Sequence, residues 1–173
     1  MPTEVPSTES PKTIALIGAT SVAEQIASRA LSAGHRVIID DISDTRLQAI
    51  STKLQAVHCS LTLTQSIESA IGSADFLIDA LPDDLEVKLE LFTLFDKFAR
   101  PHAIFITTGS ISIDDLAVIT FCPDRCIAVR VSKAPNDTNT TFQLNAGTRT
   151  SPRTIAASSD LFSRICKSRA TKI

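Results

Sequence analysis

The residues best suited to bind a ligand form a short glycine-containing loop near the start of the chain, GATSVA (18–23). A dinucleotide-binding loop has the pattern GxGxxG or GxGxxA, in which the first glycine makes a tight turn and the last small residue lets a helix pack closely on a strand. Gly18 and Ala23 fit these two positions. A helix beginning here would direct free N–H groups and its positive dipole end at a diphosphate.

Thr20 departs from this pattern, because it occupies the position of the second glycine. That glycine lets bare backbone approach the pyrophosphate, so we expect a β-branched side chain to crowd it. The hydroxyl groups of Thr20 and Ser21 can instead donate hydrogen bonds to phosphate oxygens. An alternative is a helix start that uses these residues only for turning and capping, and the loop alone does not separate the two interpretations.

A downstream acidic residue favours nucleotide binding. Asp41 follows the apolar segment RVIID (36–40) and lies 23 residues after Gly18. A dinucleotide-binding domain places the carboxylate that binds the adenosine ribose at about this position. Such an acid favours NAD over NADP, because a ribose 2′-phosphate would meet like charge. Asp40 and Asp41 can equally be solvated residues at a strand end.

The elements that must position these residues alternate along the chain between short β-type apolar segments and segments of helical periodicity. The predicted strands are 13–18, 36–40, 57–63, 76–81, 103–108, 127–131 and 141–145, and the predicted helices are 21–33, 43–54, 66–71, 85–98, 112–119 and 152–166. This alternation predicts an α/β fold, a Rossmann-like, doubly wound and mostly parallel sheet in a single domain. Its ligand crevice would lie beyond the carboxyl ends of the strands.

The composition limits the other classes of function. The chain has 173 residues, of which 43% are hydrophobic and 21% charged, a balance typical of a folded globular domain. The net charge of −2 gives no electrostatic reason to expect nucleic acid as a partner. No apolar segment approaches the length of a membrane span. We therefore expect a cytoplasmic protein with neither a membrane nor a nucleic-acid partner.

The four cysteines and three histidines do not predict a metal site. Cys122 and Cys126 have a CxxxC spacing that could hold zinc, but no second Cys or His pair stands at a matching interval. We interpret the cysteines as reduced thiols, and we interpret His58 and His102 as surface residues. Residues 1–11, rich in Pro, Ser, Thr and Glu, are predicted to be a disordered tail.

A family resemblance becomes visible in ADFLIDALPDDLEVKLELFTLFDKFARPHAIFITTGSISIDDLA (74–117). This segment resembles the 3-hydroxyacyl-CoA dehydrogenase family, whose corresponding pattern is AD-x-VIEAVPEDLE-x-K-x-ELF…LD…PHAI-x-x-SNTSSLSI. The resemblance also covers GHRVIIDDIS (34–43), CPDRCIAVRV (122–131) and SPRTIAA (151–157). It implies that residues 12–173 are the family's dinucleotide-binding domain and that the family's C-terminal helical domain, which completes the substrate cleft and forms dimers, is absent.

The resemblance carries several nucleotide-binding positions to this chain. Asp41 matches the ribose-binding acid, and Ala80 and Asp83 match the Ala and Glu of an A-x-P-E turn that lies against the cofactor. Lys88 matches a lysine on the next helix, near the nucleotide or the CoA, although an ordinary exposed helix lysine is the alternative. The implied cofactor is NAD, bound weakly because of Thr20.

The positions that carry the family's chemistry are substituted. Arg130 stands at the catalytic His, and an arginine stays protonated at any useful pH and cannot act as a base. Lys133 stands at a substrate-orienting Asn, and Gln143 aligns with the Glu that pairs with the His. Gly109 replaces a substrate-binding Ser, for which the adjacent Ser110 is a stand-in if the register slips by one.

These substitutions leave several hypotheses about function. The first is a catalytically impaired relative, linked by its family to fatty-acid metabolism, that binds a nucleotide or acyl-CoA and acts as a regulatory or partner subunit. The alternative is an active NAD-dependent oxidoreductase with altered chemistry or completed by a partner chain. In a further hypothesis, Arg130 and Lys133 form an altered site that binds an anion, such as a CoA phosphate or an acidic metabolite. A last hypothesis is a gene remnant whose product folds but has no selected role. Apolar surface left by the missing domain favours a homodimer or a heteropartner.

Overall fold

The computed structural model describes residues 10–54, 60–133 and 140–167. The strands are β1 (Thr13–Ile17), β2 (Arg36–Asp40), β3 (Leu61–Thr64), β4 (Phe76–Asp79), β5 (Ile104–Thr108), β6 (Cys126–Lys133) and β7 (Thr140–Ala146). The helices are α1 (Ser21–Ser32), α2 (Asp44–Leu54), α3 (Ile67–Ser73), α4 (Leu85–Phe98), α5 (Ile113–Ala117) and α6 (Pro152–Lys167). Of the predicted tail, only residues 10 and 11 belong to the described part of the chain, and His58 lies outside it.

All seven strands form one sheet in the order β3-β2-β1-β4-β5-β6-β7. The first six strands are parallel to their neighbours, and β7 is antiparallel to β6. The chain therefore starts in the middle of the sheet, winds outward to β3, and returns past β1 to build the other half. This confirms the predicted α/β, Rossmann-like and mostly parallel architecture. The order reverses between β1 and β4, which is where such sheets form a ligand crevice.

Two apolar cores cover the two faces of the sheet. One joins the sheet to α1, α2 and α6, and the other joins it to α3, α4 and α5. In the second core the rings of Phe92, Phe95 and Phe105 contact one another, with centroids 5.3 to 6.3 Å apart. Leu85, the first residue of α4, is 47% exposed and lies outside the buried face of this helix.

Short polar side chains define where the helices begin. The side chains of Thr20, Ser66, Asp84 and Ser112 each accept a hydrogen bond from a backbone N–H in the first turn of the helix that follows. Helix α1 ends just before Gly34, whose φ of +86° matches its predicted position after a helix end. Within the described ranges, no helix is long and apolar enough to cross a membrane.

The last residue of β2 places a carboxyl group in the protein interior. Asp40 is 5% exposed, and its Oδ1 atom has no hydrogen-bond partner. Burial, together with the neighbouring charge of Asp41, raises the pKa of Asp40 from 3.8 to about 6. Because the folded state favours the protonated form, stability is greatest below the ordinary pKa and falls as the pH rises toward the folded-state value.

We therefore predict that Asp40→Asn stabilises the protein at about pH 8 by roughly 1–3 kcal/mol, at 1.36 kcal/mol per pKa unit, and much less at about pH 4. Urea unfolding at the two pH values measures the difference. Asp44→Asn, which alters an exposed aspartate in α2, is the matched control and should not reproduce the pH dependence. An equal gain from Asp40→Asn at both pH values would show that ionisation of Asp40 is not responsible.

Candidate functional site

The predicted binding residues meet along one edge of the sheet. Gly18 follows β1, Asp41 follows β2, Ala80 follows β4 and Gly109 follows β5, each directly after the last residue of its strand. Since these strands are parallel, their carboxyl ends lie side by side, and we call this edge the carboxyl rim. The Gly18 turn thus lies where the strand order reverses, as the loop pattern predicts.

Gly18 adopts a conformation that glycine favours and leaves little room for a side chain. Its φ is +102°, and its N–H donates to the carbonyl oxygen of Asp40 at 2.8 Å. A Cβ atom here would lie 2.9 Å from Leu81 Cδ2 and 3.4 Å from the carbonyl group of Ala80. The turn therefore packs directly against the segment that follows β4, and a larger residue would push the two apart.

The hydroxyl group of Thr20 is used within the protein. It donates to the carbonyl oxygen of Ala80 at 2.8 Å and accepts from the N–H of Ala23 at 3.3 Å. Its single hydrogen is therefore not available to a phosphate, contrary to our expectation, and the capping interpretation describes its contacts. The N–H groups of Ser21 and Val22 make no hydrogen bond with any described residue. These two amides at the start of α1 remain free to bind an anion.

Asp41 is already surrounded by donors. Its carboxylate accepts from the N–H of Ala19 at 2.8 Å and from the N–H of Ser43 at 2.7 Å. Arg46 also donates to this carboxylate. Its Nε lies 3.0 Å from Asp41 Oδ2 and 3.1 Å from Oδ1, and its Nη2 lies 2.6 Å from Oδ1. Burial opposes ionisation of Asp41, but the hydrogen bonds from Arg46, Ala19 and Ser43 outweigh it and lower its pKa. Arg46 was not among the residues predicted for this site. The sequence feature that could have indicated it is a cation in the first turn of α2, shortly after Asp41.

Lys88 is fully buried, so the alternative of an exposed helix lysine is wrong. Its Nζ donates to Asp79 Oδ2 at 2.6 Å and to the carbonyl oxygen of Thr108 at 2.9 Å, and it lies 3.7 Å from Asp83 Oδ1. Burial raises the pKa of Asp79, whereas donation from Lys88, Thr107 and Leu81 favours the carboxylate. Two of the three ammonium hydrogens are donated within the protein, and the side chain is fully buried beside Asp83, so Lys88 is not exposed to a ligand.

Asp83 connects this buried pair to the segment after β5. Its Oδ2 accepts from the N–H of Ser110 at 2.9 Å and from the Ser110 hydroxyl at 2.8 Å. These hydrogen bonds from Ser110, assisted by Lys88, lower the pKa of Asp83. The hydrogen of the Ser110 hydroxyl is thus already donated, so its predicted role as a stand-in for the substrate-binding serine requires breaking this contact.

Gly109 is held by the same carboxylate. Its φ is +98°, and a Cβ atom at this position would lie 2.1 Å from Asp83 Oδ1. The Asp83 carboxylate occupies the space that a side chain at position 109 would need. A glycine at this position therefore fits the observed position of Asp83.

Arg130 and Gln143 lie opposite each other. Thr108, the last residue of β5, pairs with Val129, so Arg130 is one residue beyond the end of β5 at the carboxyl rim. Across the antiparallel β6–β7 pair, Arg130 faces Gln143. Both residues are exposed, and neither side chain makes a hydrogen bond with a described residue. The register therefore sets side by side the two residues that the sequence resemblance aligned with the family's His and Glu. Lys133 ends β6, and its side chain is outside the described part.

The carboxyl rim offers different chemistry at its two ends. Around α1 the rim has free backbone amides and a glycine turn, which fit a diphosphate. Asp41 lies at the expected ribose position, and its carboxylate is paired with Arg46. Around β6 and β7 the rim presents a guanidinium beside an amide, and neither group accepts a proton near neutral pH. Among the described residues, no cluster of three or more His, Cys, Asp or Glu side chains could hold a metal ion.

Comparison with known proteins identifies relatives of this arrangement. Residues 13–171 match the family model described as 3-hydroxyacyl-CoA dehydrogenase, NAD binding domain. The chain is 34% identical over 132 residues to 3-hydroxyadipyl-CoA dehydrogenase of Escherichia coli, covering 66% of this chain and 28% of that protein. It is 26% identical over 137 residues to a probable 3-hydroxybutyryl-CoA dehydrogenase of Bacillus subtilis, covering 68% and 47%. The chain thus spans less than half the length of these two relatives.

Solved structures share the fold. The structure of (S)-3-hydroxybutyryl-CoA dehydrogenase from Ralstonia eutropha superimposes with a TM-score of 0.82 at 22% identity, covering 91% of this chain and 62% of that one. At this level of identity the match concerns the fold, and it agrees with the strand order described above.

The buried ion pair leads to a prediction about stability. Lys88→Met leaves the Asp79 carboxylate unpaired in the interior and is expected to destabilise the fold by about 3 kcal/mol. Adding Asp79→Asn removes the charge and keeps one oxygen to accept from the N–H of Leu81, while its NH2 group can donate to the Thr107 hydroxyl. The second substitution should therefore restore part of this loss. Lys97→Met, an exposed lysine of the same helix, is the matched control and should change stability by less than about 0.5 kcal/mol. Equal effects of Lys88→Met and Lys97→Met in urea unfolding would contradict the assignment.

The loop leads to a prediction about affinity. Thr20→Gly removes the side chain at the position of the second glycine. The lost helix cap costs only a few tenths of a kcal/mol, and the lost hydrogen bond to the Ala80 carbonyl costs about 1 kcal/mol of stability. We expect NADH to bind more tightly by about threefold or more, or ~0.7 kcal/mol, as measured by nicotinamide fluorescence. Thr20→Ser keeps both hydrogen bonds and removes only the methyl group, so it reports how much of the crowding the methyl causes. Unchanged or weaker binding to Thr20→Gly would rule out crowding.

Proposed function

Because this chain belongs to the NAD-binding domain family of 3-hydroxyacyl-CoA dehydrogenases, we propose that it binds NAD at the carboxyl rim without oxidising a 3-hydroxyacyl-CoA by itself. In this role it would be a nucleotide or acyl-CoA binder that acts as a regulatory or partner subunit. NAD-dependent oxidation of an alcohol transfers a hydride from carbon to the nicotinamide and a proton from the hydroxyl group to a base. NAD can supply the hydride acceptor, and the protein must supply the base.

The pairing of Arg130 with Gln143 carries this proposal. In the family a His takes the proton and a Glu stabilises the charged imidazole, so base and carboxylate act as one unit. Here the base position holds a permanent cation and the carboxylate position holds a neutral amide. No described carboxylate or imidazole forms a hydrogen bond with Arg130, so we find no alternative base at this point of the rim.

The other end of the rim supports retained binding of the nucleotide. The free N–H groups of Ser21 and Val22, together with the positive end of α1, would hold the diphosphate. Asp41 lies at the ribose position, and the neighbouring Ile42, 88% exposed, offers an apolar surface for the adenine ring. Ala80 and Asp83 would lie along the nicotinamide half. Apart from the crowding predicted at Thr20 and the pairing of Asp41 with Arg46, these groups fit a dinucleotide.

A partner chain is part of the proposal because the described surface contains exposed apolar groups. Val118 is 64% exposed and Phe121 98% exposed, on the segment between α5 and β6. Large apolar side chains grouped in this way favour contact with another protein. A second copy of the chain and a different protein both meet this description. We also place the protein in the cytoplasm, since Cys122, Cys126 and Cys166 are free thiols.

The first test is a titration of purified protein with NADH, followed by an assay with a short 3-hydroxyacyl-CoA and NAD. We expect saturable binding with a Kd below about 1 mM, or about −4 kcal/mol, and no turnover above the rate without protein. Turnover by the chain alone would overturn the proposal in favour of an active enzyme with altered chemistry. Absence of any binding would remove the nucleotide part.

The second test restores the proton-handling pair. Arg130→His combined with Gln143→Glu places an imidazole and a carboxylate on facing residues of β6 and β7. We expect trace activity only when another chain completes the substrate cleft, so the assay is run with and without a separately expressed helical domain of the E. coli relative. Arg130→His alone is the control and should be at least about tenfold slower, because the imidazolium lacks its carboxylate.

A further inference from the structure

At the ribose position of the rim, Asp41 does not present a free carboxylate. A carboxylate offers about four lone-pair sites, and Asp41 receives the N–H of Ala19, the N–H of Ser43 and two N–H groups of Arg46. Its side chain is 4% exposed. A ribose diol that bonded to Asp41 in the usual way would have to displace Arg46. The acid therefore serves mainly to hold the guanidinium.

Arg46 presents the outer surface of this pair to solvent. Its side chain is 55% exposed. Arginine carries five N–H donors, and only Nε and Nη2 contact Asp41. Nη1 makes no hydrogen bond with a described residue, so donors remain directed away from the carboxylate. They lie beside Asp41, at the position that the 2′-oxygen of an adenosine ribose takes in this type of domain.

The charge of the pair also differs from that of Asp41 alone. A lone carboxylate repels a ribose 2′-phosphate, which is the physical reason such an acid selects NAD. Here the charges of Asp41 and Arg46 cancel, and the exposed member of the pair is the cation. A guanidinium fork is also the side chain best matched to the oxygens of a phosphate. The other nearby carboxylate in α2, Asp44, is engaged by Gln48 Nε2 at 2.7 Å.

From these contacts we propose that Arg46 lets the adenosine end of the site accept a 2′-phosphate, so that this chain binds NADPH at least as well as NADH. This inference rests on the proposed nucleotide-binding function. It reverses the expectation from Asp41 alone, because the residue that selects against the phosphate is covered by one that attracts it.

The test measures binding of NADH, NADPH, ADP and 2′,5′-ADP to the full chain by fluorescence and calorimetry. For the unaltered protein, NADPH should bind at least as tightly as NADH, and 2′,5′-ADP more tightly than ADP. Arg46→Ala should weaken both 2′-phosphorylated ligands by about tenfold, the range of one charge-assisted contact, and leave NADH unchanged or tighter since Asp41 is released. Lys53→Ala removes an exposed cation of the same helix and is the matched control.

The results separate the two proposals. Tighter binding of NADH than of NADPH by the unaltered protein would overturn the inference while leaving the proposed function in place. Equal weakening of NADH and NADPH by Arg46→Ala would also overturn it, because Arg46 would then only order the loop. Arg46-dependent binding of 2′,5′-ADP without binding of either dinucleotide would support the 2′-phosphate site and overturn the proposed function. Absence of binding by all four ligands would overturn both. Thermal unfolding of each variant confirms that it is folded.

Discussion

The ammonium group of Lys88 determines the shape of the carboxyl rim. It lies in the interior and contacts the end of β4 through Asp79, the following turn through Asp83 and the end of β5 through the Thr108 carbonyl. Because an unpaired buried charge costs several kcal/mol, these three segments cannot move apart without a large loss of stability. The positions of Asp83 and Gly109 follow from this constraint, since the carboxylate held by Lys88 fills the space that a side chain at 109 would need.

The proposed nucleotide-binding positions and the positions aligned with the family's catalytic residues lie on different parts of the rim. The diphosphate position depends on backbone amides of α1 and on the Gly18 turn, which belong to the first βα unit. Arg130 and Gln143, the residues aligned with the family's His and Glu, lie on β6 and β7. Exposed residues there make no contacts with the buried pair, so their substitution leaves the core and the nucleotide loop intact. Substitutions at Arg130 and Gln143 are therefore expected to have little effect on the fold.

The adenosine end shows how one neighbour can change the meaning of a motif residue. Asp41 stands at the motif position, yet its carboxylate is filled by Arg46 and by two backbone N–H groups. The same aspartate can thus act as a ligand for ribose in one sequence and as an anchor for a guanidinium in another. The chemistry offered to a ligand depends on the outermost group, and here that group is a cation.

The sequence by itself determined the architecture and the location of the site. Apolar periodicity is a local property, so strands and helices could be read within a few residues of their observed bounds, and parallel strands then required Gly18, Asp41 and Ala80 to share one edge. The family pattern also aligned Arg130 with its His and Gln143 with its Glu, and the observed register sets Arg130 opposite Gln143. The antiparallel direction of β7 was not predicted, because its apolar pattern has no direction.

Only the tertiary structure decided which groups are already in use. The full burial of Lys88, the occupation of Asp41 by Arg46 and the donation of the Thr20 hydroxyl to Ala80 all depend on atoms brought together from separate segments. A sequence lists donors and acceptors, but a hydrogen bond is made only where distance and angle allow it. Which of them remain free to meet a ligand is therefore a property of the folded arrangement.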